Sequence, residues 1–203
     1  MRTLVLLSLL PILLMVSTSC ASPSEASQDI SEVRPVVLIL IEDLTWEEVR
    51  ETSSLADISD SGTVANLSTF QGASPADSRM GYVLLGAGVR VDTSLLPESL
   101  PKDPTEFPEA FRGPATAVQS GSLGEALSEA EIKTATIGEN ALLVAMDSKG
   151  QVSLSYNTSE PIDNLEKALT DDADFVAVQA GSTRQAGRLA EVAGEAGAKV
   201  AVA

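Results

Sequence analysis

The sequence predicts an α/β domain, a three-layer sandwich on a mostly parallel sheet that is incomplete at its C-terminal end. Three observations predict it. Val36 to Ile41 reads VVLILI, an unbroken aliphatic run typical of central parallel strands, which carry helices on both faces. Farther along, short aliphatic runs alternate with stretches of helical composition, joined by short loops. Apolar residues make up 44% of 203 positions but aromatics only 3%, so a sizeable core must be built from Val, Leu, Ile and Ala.

The chain opens with Arg2, then an apolar run from Leu4 to Val16 broken only by Ser8 and Pro11, then Ser17, Thr18, Ser19 and Cys20. A positive start, an apolar stretch and a small-residue zone make residues 1–19 a signal peptide. The apolar run is shorter than the roughly 20 residues that a spanning helix needs. Ser-Thr-Ser-Cys resembles a bacterial lipobox, with Ser17 where Leu is usual, and the resemblance makes Cys20 the lipidated first residue of the mature protein. Plain secretion with cleavage after Ala21 is the alternative. Residues 20–34 are rich in Ser, Glu and Asp and read as a flexible tether, leaving residues 35–203 as the α/β body.

After the first strand, Thr45 and Glu48 have capping-box spacing, so a helix starts at Trp46. A short helix around Leu55 to Ile58 leads to a turn at Ser61-Gly62 and a strand from Thr63 to Leu67. Arg79 to Leu85 reads as a helix stopped by Gly86-Ala87-Gly88. Five prolines between 97 and 114 mark an excursion from the core, pinned by Phe107 and Phe111. Ser122 and Glu125 repeat the capping-box spacing, and that helix feeds a strand from Lys133 to Ile137. Leu142 to Met146 and Val152 to Tyr156, around a turn at 147–150, read as a β-hairpin. Ile162 to Leu169 is a helix and Phe175 to Val178 a buried strand. Arg184 to Ala196 is a helix capped by Ser182-Thr183, with Arg184 and Arg188 on a solvated face. Lys199 to Val202 reads as an inner strand, which is why the downstream half of a larger domain is expected to follow.

Thirteen Lys and Arg against 29 Asp and Glu give a net charge of −16. A surface that negative repels phosphate backbones and anionic lipid, which excludes nucleic acid as a partner and leaves a lipid anchor as the route to a membrane. No protein partner is identified. One Cys and no His exclude an intrachain disulfide, Cys-rich zinc sites and every mechanism that needs an imidazole.

Ligands of open parallel sheets bind beyond the carboxyl ends of the strands, where Glu42 and Asp43 follow the first strand. Adjacent carboxylates there suit a hard divalent cation such as magnesium, manganese or calcium, or else one of them caps the next helix. Gly121-Ser122-Leu123-Gly124 offers backbone amides to an anion or, as the simpler use, caps a helix. The sequons at Asn66 and Asn157 carry little meaning behind a bacterial signal.

Val36 to Asp43, together with Met80-Gly81, Leu84 to Gly88 and Arg90, resembles the alkaline phosphatase superfamily, in particular its cofactor-independent phosphoglycerate mutase and phosphomutase branches. There a strand of the type VLLIVLDG pairs with a later Met-Gly segment running into Leu-x-x-Gly-Ala-Gly-Arg. Gly121 to Gly138 looks like a helix-strand unit of the same superfamily. The resemblance implies a divalent metal (Mn, Mg or Zn), with Glu42 in the register of the first-strand ligand and Asp43 where the family has Gly. It implies a hydroxyl nucleophile, for which Ser74 and Ser78 are the nearest residues, although Tyr82 and Val83 follow Met80-Gly81 and the usual Ser-bearing stretch is not matched. Asp77 is a further metal ligand or a helix cap. The family's His ligands have no counterpart, and a hydroxyl without metal or base to lower its pKa is inert.

Three readings follow. The chain is an exported, lipid-anchored α/β domain, similar to the N-terminal half of that superfamily and without catalysis of its own. Alternatively, it is part of a metal-dependent phosphatase, phosphodiesterase or phosphomutase completed by further sequence. The third is a cell-surface binding or scaffold lipoprotein that holds a partner or calcium.

Overall fold

The computed structural model describes residues 34–64, 70–71, 79–89, 91–92, 101–103, 106 and 121–203. The expected signal peptide, the expected tether up to residue 33, Cys20, Asn66, Ser74, Asp77, Ser78, Phe107 and Phe111 lie outside the described residues, as do most of the proline-rich segment and Ala65 to Leu67 of the expected second strand.

Among the described residues five strands form the main sheet: β1 (Val36–Ile41), β4 (Thr134–Ile137), β5 (Leu154–Tyr156), β6 (Phe175–Ala180) and β7 (Lys199–Val202), in the order β5-β4-β6-β1-β7. Every pairing is parallel. The aliphatic ribbon is an inner strand, with Ile39 opposite Val178 on one side and Val202 on the other. Two further short strands, β2 (Phe70–Gln71) and β3 (Val91–Asp92), pair in parallel as a separate sheet.

Alternation along the strands builds the layers. Val37 and Ile39 join Ala135, Ile137, Val176 and Val178 on one face, beneath α2 (Ser53–Ser61), α6 (Pro161–Thr170) and α7 (Thr183–Glu195). Leu38, Leu40 and Ala177 face the other way, toward α3 (Arg79–Ala87), α4 (Ser122–Glu129) and α5 (Glu139–Ala145). The α/β sandwich expected from the sequence is therefore present. Val37, Ile39 and Leu40 are at most 1% exposed, and burial of each such side chain is worth about 1.5–3 kcal/mol. A charge placed in this strand would meet apolar layers on both sides.

Helix boundaries follow local chemistry. Thr45 caps α1 (Trp46–Glu51) with a complete capping box: its hydroxyl accepts from the Glu48 amide, and the Glu48 carboxylate accepts from the Thr45 amide at 2.9 Å. Neither Glu42 nor Asp43 caps this helix. Pro161 occupies the first turn of α6, where its missing N–H costs nothing, and the Ser182 hydroxyl accepts from the Gln185 amide to start α7. Arg184 and Arg188 lie on the exposed face of α7, as expected.

Several expectations are overturned. The Leu142–Met146 half of the expected hairpin is helix α5, and β5 pairs with β4 in parallel, so there is no hairpin. The run ALLVAM is apolar all round because α5 is sandwiched between the sheet and α3, and a short run of that kind has no period to separate strand from helix. Ser122 and Glu125 do not form a capping box. Gly121 is the cap residue of α4, with φ of 82°, and the Glu125 carboxylate instead accepts from the amide and hydroxyl of Ser148. Thr63 and Val64 are not strand, and α2 runs through Ser61 instead of turning there. α3 continues through Gly86 and Ala87, and Gly88, with φ of 65°, supplies the left-handed stop. Among the described residues β7 is an outer strand of the sheet, where an inner one was expected, with Lys199 and Ala201 exposed.

Candidate functional site

β1 delivers Glu42 and Asp43 to the carboxyl ends of the strands, and two helices converge on Glu42 there. The Tyr82 hydroxyl on α3 donates to Glu42 Oε1 at 3.2 Å, and the Asn140 side-chain amide at the start of α5 donates to the same oxygen at 3.0 Å. The Asn140 backbone amide donates to Gln179 Oε1 on β6 at 3.4 Å. One carboxylate oxygen thus ties β1 to α3 and α5, two helices of the layer above it, and Gln179 ties that layer to the neighbouring strand.

Glycines permit these approaches. A Cβ on Gly86 would overlap the Val144 carbonyl oxygen, so the bare α-carbon is what lets α3 lie against α5 and bring Tyr82 over the strand ends. Gly138, with φ of 104°, ends β4. A Cβ there would stand 2.6 Å from the Thr158 methyl and 2.9 Å from Gln179 Oε1.

The surroundings are uneven in polarity. Asn140 is 9% exposed, whereas Glu42 and Asp43 are exposed. Burial pushes the Tyr82 hydroxyl up to about 12, and the negative charge of Glu42 and the hydrogen bond to it add to the rise. The phenol is therefore a hydrogen-bond donor at neutral pH and not a nucleophile. Asp43 adopts a left-handed backbone with φ of 55°, a conformation that glycine takes freely and that Asp tolerates better than most residues.

Of the residues singled out from the sequence, Glu42 and Asp43 lie at the expected rim, while Ser74, Ser78, Asp77 and Cys20 fall outside the described residues. Among the described residues, Glu42 and Asp43 are joined by no third carboxylate, thiol or imidazole that would complete a metal centre. Glu42 Oε1 already accepts two hydrogen bonds. Sequence reasoning missed Asn140, Gln179 and the role of Tyr82. Gln179 had a signal, as the sole polar residue in the strand FVAVQA. Asn140 was hidden by reading the following run as a strand.

A groove of about 490 Å³, lined by Pro35, Leu169, Val192 and Glu195 among others, lies at the opposite end of the strands, between the ends of α6 and α7. It is remote from Glu42, so it does not belong to this site. Among the described residues no helix is long and apolar enough to cross a membrane.

Comparison of the chain with profiles of known protein families, with curated proteins and with solved structures yields no match.

Proposed function

We propose that the chain is an exported, lipid-anchored α/β domain, similar to the N-terminal half of alkaline phosphatase superfamily proteins, that does not carry out phosphoryl transfer by itself. The observation that carries this reading is the engagement of Glu42. The carboxylate standing in the register of the superfamily's first metal ligand is instead an acceptor for Tyr82 and Asn140, and acts as a latch between β1 and two helices. The left-handed Asp43, where the superfamily has glycine, supports the kinship, because that turn position selects glycine for its backbone and not its side chain. The lack of any His supports the loss of chemistry, since neither an imidazole ligand nor an imidazole base exists to activate a hydroxyl.

Two assays test the reading. Purified chain incubated with para-nitrophenyl phosphate and manganese is expected to give no turnover above buffer. Manganese-dependent hydrolysis that Glu42→Ala and Asp43→Ala both abolish would overturn the non-catalytic part. Labelled palmitate is expected to attach to the wild-type chain and not to Cys20→Ser, and an unlabelled wild-type chain would leave plain secretion as the export route.

A further inference from the structure

We draw no further inference here: the strongest candidate, the outer edge of β7, where half-buried Val200 and Val202 alternate with exposed Lys199 and Ala201 and the backbone pairs only with β1 among the described residues, carries nothing because nothing in the structure shows what covers it.

Discussion

The Glu42 carboxylate and the Asn140 side-chain amide, 98 positions apart in sequence, meet at 3.0 Å across the carboxyl ends of the sheet. β1 and β4 are not neighbours, since β6 lies between them, so this bond links the end of β1 to the helix that follows a strand with which β1 shares no backbone ladder. It is charge-assisted, and its Asn140 end is desolvated, which strengthens it. Its Glu42 end is in water, which weakens it.

Asn140→Ala is therefore expected to lower unfolding stability by about 1–2 kcal/mol in urea denaturation, and Tyr82→Phe by about 0.5–1 kcal/mol. Tyr82→Phe loses less because the ring packing survives. Equal stability of wild type and Asn140→Ala would mean that the bond contributes nothing.

A second prediction concerns alkaline pH. Folded Tyr82 keeps its proton up to about 12, whereas the unfolded chain gives it up near 10, so the folded state holds more protons between those values. Stability is then fully present below pH 10 and is lost as pH rises toward 12. The chain has two tyrosines, and Tyr156 is also raised, by burial and by its hydrogen bond to Asp171. A titration of tyrosinate absorbance separates them: Tyr82→Phe is expected to remove a late component. Glu42→Gln should shift that component down while leaving it above 10, since burial is the larger cause. A late component that survives Tyr82→Phe intact would contradict the assignment.

Two helical glycines should respond in opposite directions. Gly86→Ala places a methyl against the Val144 carbonyl, and a cost of about 1–3 kcal/mol is expected despite the better helix propensity of Ala. Gly194, in the last turn of α7, has open space around its α-carbon, so Gly194→Ala is expected to stabilise by about 0.5–1 kcal/mol. Thermal unfolding of both variants checks the pair. A stabilised Gly86→Ala would show that α3 and α5 are not packed this closely.

The legibility of this fold divides along a physical line. β1, α1 with its capping box, α6, β6 and α7 were readable because a long aliphatic run or a helix-start signal is local and nearly self-sufficient. α5 was not, because its run from Ala141 to Ala145 is apolar toward sheet and helix alike, and only tertiary packing distinguishes helix from strand there. That one error also concealed Asn140, so half of the site was invisible. The place of Glu42 was legible because it directly follows β1, at the carboxyl ends of the strands. Its partners depend on α3 and α5 meeting, a long-range event signalled only by Gly86.

Acid should act through surface carboxylates. Glu48 lies below the ordinary value of 4.5, chiefly because the Thr45 amide donates to it, and Glu125 does so chiefly because the Ser148 hydroxyl donates to it. Both contribute stability above 4.5 that is lost as pH falls through their lowered values. Thr45→Ala is expected to cost about 1 kcal/mol at neutral pH and to flatten the fall in thermal midpoint below pH 4.5. An unchanged acid limb would contradict a role for the capping box.

The proposed role of Glu42 as a latch in place of a metal ligand is tested most directly by urea unfolding of the chain and of Glu42→Ala, each with and without manganese. The latch predicts a lower midpoint for Glu42→Ala in metal-free buffer and no response of either protein to the ion. A wild-type midpoint that rises with manganese while Glu42→Ala stays unmoved would contradict it, because an ion bound to the folded state at a hundredfold excess over its Kd adds about 2.7 kcal/mol.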